Sequence, residues 1–250
     1  MKKFLMLTND DGIEAKGLRA LETSLAGLGD IVVVAPATEQ SASSHSLTIG
    51  NQIPAEKLDD RHYRVFGTPT DCVLLAVQGF LDRKPDFLIS GINHGPNMGE
   101  DITYSGTVSA AIEGMILGIP SIAISSLQRS LNNADEISRL ARVVVETVMR
   151  EGLPKGCLLN VNIPDPKISP IRSVRITKLG SRAYENLLKR EAGKGSMEYY
   201  TIGGDDPIWQ KDAGTDIAAV RSGFVSVTPL HLDLTDHKSV VEMEKWRFRL

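Results

Sequence analysis

The sequence predicts an α/β fold, with a mostly parallel β-sheet flanked by helices and a C-terminal β-rich extension or arm. Three observations predict it. Short apolar runs alternate with helix-length segments up to about Arg150. The first run, Phe4-Leu5-Met6-Leu7, has the unbroken apolar character of a strand buried on both faces. Beyond Pro164 and Pro166 the pattern changes to polar/apolar alternation and then to a long polar stretch. A chain of 250 residues is long enough for one large α/β domain, or for a domain with an appended arm.

Taken in order, Phe4–Leu7 reads as a strand that leaves its sheet at Thr8-Asn9-Asp10-Asp11-Gly12. The span 15–28 places Leu18, Leu21, Leu25 and Leu28 on one helical face, with Gly27 and Gly29 near its end. Ile31-Val32-Val33-Val34-Ala35 is a second β-branched run, stopped by Pro36. Helix candidates cover 71–81, the small-residue-rich span 107–117, and 136–150. Strand candidates lie at 87–91 and 119–124. The span 158–163 closes the first half before the prolines. Residues 171–179 then alternate like a half-exposed strand. The stretch 189–215 is polar, with Tyr199, Tyr200 and Trp209 as its few anchors, and reads as a long hairpin or an arm packed on another subunit. Residues 224–230 form a late strand and 239–250 a terminal helix.

Composition excludes several classes. With 42% hydrophobic and 24% charged residues the chain matches ordinary soluble globular proteins. A net charge of -3 without any Lys/Arg run argues against a nucleic-acid-binding surface. The two cysteines, Cys72 and Cys157, sit in apolar contexts and read as small buried hydrophobes, not as a disulfide or a zinc site. No apolar stretch approaches the roughly 20 residues of a membrane span. The N-terminus lacks the apolar core and cleavage site of a signal peptide. A cytoplasmic protein is therefore expected.

The chemistry collects in loops that follow three of these strands. The first holds Asn9, Asp10 and Asp11; the second runs from Glu39 through Ser41, Ser43, Ser44 and His45; the third is Ser90-Gly91-Ile92-Asn93-His94-Gly95-Pro96-Asn97-Met98-Gly99. In an open parallel sheet, ligands bind beyond the carboxyl ends of the strands, so the three loops can converge. Two adjacent carboxylates repel each other and lose solvation, which a divalent cation relieves. The alternative is that Asp10 or Asp11 simply caps the helix that follows. Ser105-Gly106-Thr107 opens another helix candidate, either as an anion site at a helix start or as an ordinary cap. His45 can act as acid or base, or as a hydrogen-bonding loop residue. His94, His231 and His237 read as the latter. The glycines of the third loop would let backbone approach a ligand. No GxGxxG after a strand, GxxxxGK[ST] or GxSxG motif occurs, which weakens dinucleotide, P-loop and serine-hydrolase readings.

The ordered set Thr8-Asn9-Asp10-Asp11-Gly12-Ile13, Val34-Ala35-Pro36, His45-Ser46-Leu47-Thr48, Gly67-Thr68-Pro69-Thr70-Asp71-Cys72-Val73, Ser90 to Gly99 and Tyr104-Ser105-Gly106-Thr107-Val108 closely resembles the SurE family of 5′/3′-nucleotidases. The resemblance extends through Leu159-Asn160-Val161-Asn162-Ile163-Pro164 and Val227-Thr228-Pro229-Leu230-His231, nearly the whole chain. It implies a Rossmann-like catalytic core over residues 1–165. It also implies an extension over 166–250 that completes the fold and contributes to homodimer or homotetramer contacts. The implied activity is a 5′-nucleotidase, a phosphomonoesterase acting on nucleoside monophosphates. Its cofactor would be one divalent ion, magnesium or manganese, with calcium able to stand in within a crystal. Asp10, Asp11, Ser41 and Asn93 match the metal ligands, Asp10 and Asp11 being the catalytic pair. Asn9, Asn97, Ser105, Gly106 and Thr107 are then expected around the substrate phosphate. The loop Ala37-Thr38-Glu39-Gln40 departs from the family, which commonly has an Asp and a basic residue after Pro36; the departure spares the metal positions. A broad-specificity acid phosphatase or exopolyphosphatase, and a non-catalytic nucleotide-binding module, are the alternatives.

Overall fold

The computed structural model describes residues 2–128, 130–168, 170–183, 188–193, 197–202, 208–209 and 212–248. In chain order the elements are β1 (Phe4–Thr8), α1 (Lys16–Leu25), β2 (Asp30–Pro36), β3 (Ala55–Lys57), β4 (His62–Val65), α2 (Pro69–Leu75, continued by a π-helical turn Ala76–Phe80), β5 (Phe87–His94), a 3-10 turn (Gly99–Thr103), α3 (Gly106–Ile116), β6 (Ser121–Ser126), α4 (Ala134–Glu151), β7 (Leu158–Ile163), β8 (Ser173–Ile176), β9 (Arg182–Ala183), β10 (Leu188–Ala192), β11 (Glu198–Ile202), β12 (Ile208–Trp209), α5 (Asp216–Arg221), β13 (Phe224–Leu230) and α6 (His237–Met243).

Nine strands form one sheet in the order β3-β4-β2-β1-β5-β6-β7-β13-β8. The run from β4 to β7 is parallel throughout. β3 joins β4 antiparallel at one edge, and β13 joins β7 antiparallel before pairing parallel with β8. The chain moves from β1 outward to β2 and later returns to the other side of β1 with β5. That reversal opens a crevice at the carboxyl ends of β1 and its neighbours, where doubly wound sheets hold ligands.

The alternation of side chains along each strand divides the core into two layers. Leu5, Leu7, Val33, Ile89 and Ile122 face α1 and α4, meeting Leu18, Leu21, Leu25, Ile137, Ala141 and Val145. Met6, Val32, Val34, Leu88 and Ala123 face α2 and α3, meeting Cys72, Val73, Val108, Ala110 and Ala111. Leu18, Leu21 and Leu25 recur at three- and four-residue spacing and are all buried, so each contributes on the order of 2 kcal/mol of apolar burial. Cys72 and Cys157 are both free thiols; Cys72 is fully buried, as its apolar context predicted, whereas Cys157 is only partly buried.

Several boundaries differ from expectation for local reasons. Helix α2 begins at Pro69, because Thr68 caps it: the Thr68 hydroxyl accepts from the Asp71 N–H, and the Asp71 carboxylate accepts from the Thr68 N–H. Strand β5 continues to His94, three residues beyond the expected Gly91, through an irregularity against β6 between Ser90 and Asn93. The terminal helix covers only His237–Met243, capped by Asp236; the expected end at Leu250 lies outside the described residues. Within the polar stretch, β10 and β11 form the antiparallel hairpin that one reading foresaw. The Trp209 side chain lies outside the described residues. Among the described residues no helix is long and apolar enough to cross a membrane.

Candidate active site

The three loops converge. A cleft of about 690 Å³ at the carboxyl ends of β1, β2 and β5 is lined by Asp10, Asp11, Glu39, Ser41, Asn93, His94, Asn97, Asp101, Tyr104 and Ser105, among others. Loop closure is built into the backbone: the Ile13 N–H donates to the Pro36 carbonyl at 2.9 Å, and the Gln40 N–H to the Asp10 carbonyl at 2.7 Å. Gly12 supports the turn with φ of 99°, a conformation that favours glycine.

Helix α1 removes the cap reading. It starts at Lys16 with Ala15 as its N-cap and no side-chain cap hydrogen bond. Neither aspartate caps it. The Asp10 carboxylate lies instead against the start of α3, where the Thr107 hydroxyl donates to it at 2.5 Å. Burial nonetheless raises the Asp10 pKa, against the opposing pull of the Thr107 hydroxyl and of the backbone N–H groups of Asp10 and Thr107. Asp11 is raised from 3.8 to about 7, first by burial, then by the charge of Asp10, with a backbone hydrogen bond from His94 offsetting part of it. One Asp11 oxygen, Oδ2, is buried without a hydrogen-bond partner. No Lys or Arg lines the cleft among the described residues. Two carboxylates held together with no positive side chain, one oxygen unsatisfied, fit a hard divalent cation. Ser41 and Asn93 line the same cleft and carry neutral oxygens of the kind such an ion takes. The Ser41 hydroxyl is exposed and donates to Glu39 at 2.5 Å. The Asn93 side-chain amine donates to the Gly95 carbonyl at 2.9 Å, which turns its carbonyl oxygen away from that contact.

The remaining expected residues divide. Asn97 and Ser105 line the cleft. Asn97 is held through its backbone by Asn160 and Asn162 of β7 and through its side chain by Ser125 of β6. Ser105 is the N-cap of α3, its hydroxyl accepting from the Val108 N–H. Gly106 packs on Asp10: a Cβ there would sit 2.8 Å from Asp10 Cβ, 2.9 Å from its Oδ2 and 2.9 Å from Ser43 Oγ. Gly106 and Thr107 therefore bear on the carboxylate and do not line the cleft. Asn9 is fully buried behind the site and donates to the Gly12 carbonyl at 2.9 Å. His45 is not brought to the cleft; its Nε2 lies 2.9 Å from the Glu113 carboxylate of α3. In the third loop, Gly91 and Gly99 approach other backbone, the Ile124 and Gly180 carbonyls, while Gly95 lines the cleft.

Four lining residues were not among the expected site residues. Glu39 anchors Ser41 and adds negative charge near both aspartates. Asp101 is raised from 3.8 to about 6 by burial and by Glu100. Tyr104, 63% exposed, presents an aromatic face at the rim. His94 has Nδ1 3.8 Å from Asp11 Oδ1, and burial lowers its pKa against the opposing pull of Glu39 and Asp10. Glu39 and His94 carried a signal through their places in the second and third polar loops, and Tyr104 through the motif it opens; Asp101 carried none.

Comparison with known proteins identifies the family. The profile of the family described as Survival protein SurE matches residues 5–186. A protein named 5′-nucleotidase SurE from Geotalea uraniireducens is 44% identical over 97% of this chain and 98% of its own length. One of the same name from Gemmatimonas aurantiaca is 45% identical over 95% of each chain. The crystal structure of the SurE protein from Aquifex aeolicus superposes with a TM-score of 0.84 at 42% identity, covering 97% of this chain and 100% of that one.

Proposed function

Because the chain belongs to the survival protein SurE family, we propose that it is a divalent-metal-dependent 5′-nucleotidase that hydrolyses nucleoside 5′-monophosphates, and 3′-monophosphates, to nucleoside and phosphate. The observation that carries this reading is the Asp10–Asp11 pair, Asp10 buried and Asp11 partly buried, in a cleft that no Lys or Arg lines among the described residues. A phosphate dianion would be repelled from two bare carboxylates. Asp10, Asp11, Ser41 and Asn93 would hold the ion. When bound there it supplies magnesium- or manganese-type charge neutralisation and Lewis acidity.

The chain's own residues position the substrate. Asn97 would offer an amide hydrogen to a phosphate oxygen, and the α3 start beside Ser105 would favour the anion through its dipole. Asn9 would hold the Gly12 turn, and with it the spacing of Asp10 and Asp11. Tyr104 at the rim would carry the nucleoside face. Phosphoryl transfer depends mainly on positioning and charge, which suits a cleft rich in amides and hydroxyls. The names borne by the relatives favour a nucleotidase over a polyphosphate-directed enzyme or a non-catalytic module.

Residues 1–165 would act as the catalytic core and 166–250 as the extension through which a homodimer or homotetramer forms. Exposed Leu234, Trp246 and Phe248 support that assignment, because apolar side chains gathered on an arm usually face a partner. A cytoplasmic location accords with these assignments. The test is phosphate release from AMP with Mn2+ or Mg2+. Release should vanish with EDTA, return with metal, and fall by several orders of magnitude in Asp10→Asn. Turnover unaffected by EDTA would overturn the reading.

A further inference from the structure

Strand β7, Leu158-Leu159-Asn160-Val161-Asn162-Ile163, places two asparagines on one face of a six-residue strand whose other side chains are aliphatic. Both are fully buried. A buried amide costs on the order of 1–3 kcal/mol unless it is hydrogen-bonded, so the pair needs a structural reason. Their shared partner is the backbone of Asn97. Asn162 Oδ1 accepts from the Asn97 N–H at 2.9 Å, while Asn162 Nδ2 donates to the Asn97 carbonyl at 2.8 Å. Asn160 Nδ2 donates to the same carbonyl at 2.8 Å. The Asn162 side chain thus occupies both backbone groups of one residue, as the peptide group of a neighbouring strand would. Asn97 needs this substitute, because it lies between the end of β5 at His94 and the 3-10 turn starting at Gly99. The Asn97 side chain, in turn, donates to Ser125 Oγ at 2.8 Å, which fixes its rotamer.

We infer that Asn162 is a positioning residue of the phosphate side of the cleft, a clamp that acts on substrate solely through Asn97, with Asn160 as its second arm. This rests on the phosphatase reading above. The clamp sets where the Asn97 amide stands relative to Asp10 and Asp11 without touching the metal ligands. A displacement of about 1 Å at a positioning group can lower turnover about 100-fold.

The experiment combines a mutant cycle with amide hydrogen exchange. Asn162→Ala should lower kcat on AMP about 100-fold, with Mn2+ affinity within about twofold of wild type. In an Asn97→Ala background the same change should produce no further loss, since its route is gone. Exchange of the Asn97 amide should accelerate at least about tenfold in Asn162→Ala, with the Ile89 and Ile124 amides of the sheet unchanged. Asn162→Asp keeps the acceptor and removes the donor, so it should lower kcat while the Asn97 amide stays protected. That variant carries the test if Asn162→Ala does not fold. Additive losses in the double mutant, or an Asn97 amide indifferent to Asn162→Ala, overturn the clamp. A wild-type protein that releases no phosphate from AMP rejects the phosphatase reading instead, and the exchange measurement still decides whether Asn162 holds Asn97.

Discussion

Replacing Asp11 by Asn should stabilise the metal-free protein at neutral pH while disabling its metal site. In the fold the Asp11 carboxyl rises from 3.8 to about 7, because it is buried and lies beside Asp10. Between those values the unfolded chain has released the proton and the folded chain still holds it. Stability contributed by the protonated form is therefore complete below about pH 4 and is lost as pH rises through about 7. The shift of about three units corresponds to about 4 kcal/mol at most, and the solvent reaching the cleft reduces it to about 2 kcal/mol. For a chain of this size that is about 4–8 °C in Tm. The assay is calorimetric or dye-monitored melting in EDTA from pH 4.5 to 8, read as the difference between wild type and Asp11→Asn, so that other titrating groups cancel. The variant should match wild type near pH 4.5 and exceed it by several degrees near pH 8. Mn2+ at about 100 times its Kd should add about 2.7 kcal/mol to wild type and nothing comparable to the variant. Parallel melting curves across the range would refute the claim that an uncompensated Asp11 charge defines the site.

Three further substitutions probe separate contacts. Gly106→Ala would drive a Cβ to within 2.9 Å of Asp10 Oδ2 and of Ser43 Oγ, so the carboxylate must move; metal-dependent phosphate release should fall at least about tenfold, and a fully active variant would show that Asp10 tolerates displacement. Tyr104→Ala should raise KM for AMP by about tenfold, equivalent to about 1.4 kcal/mol, while leaving glycerol phosphate almost unaffected; equal effects on both would remove the aromatic face from nucleoside binding. His45→Ala strands the buried Glu113 carboxylate and should cost about 1–3 kcal/mol in a denaturant melt, with kcat within about tenfold of wild type. A loss of kcat by several orders of magnitude in a folded His45 variant would restore it as an acid or base.

The central sheet was legible because parallel strands buried on both faces carry unbroken apolar runs, and β1, β2, β5 and β6 all do. The edge was not. Strands β3 and β4 contain Glu56, Lys57, His62 and Arg64, and β3 is exposed throughout, so their pairing depends on the neighbouring strand and leaves no apolar pattern. The same division runs through the site. The loops that carry Ser41, Asn93 and Asn97 could be placed near the aspartates because each follows a recognisable strand at one sheet edge, whereas the choice of Ser41 over Ser43 or Ser44 came from the family resemblance alone. Thr107 could be assigned to a helix start, but its hydroxyl reaches Asp10 across 97 residues of sequence. That contact is a product of how α3 packs on the sheet, which no local pattern encodes.

The two aspartates also prove to be unlike each other, although they are adjacent in sequence and were read as one unit. Asp10 receives the Thr107 hydroxyl and sits against the start of α3, so the protein itself offsets part of its charge. In this respect the helix-terminus reading had the right chemistry and the wrong helix: the favourable dipole belongs to α3, not α1. Asp11 has a backbone hydrogen bond from His94, the His94 imidazole 3.8 Å away and a buried oxygen with no partner. A single carboxylate at a helix start would need no ion. The second one, which no Lys or Arg lining the cleft compensates among the described residues, is what supports the proposed cation.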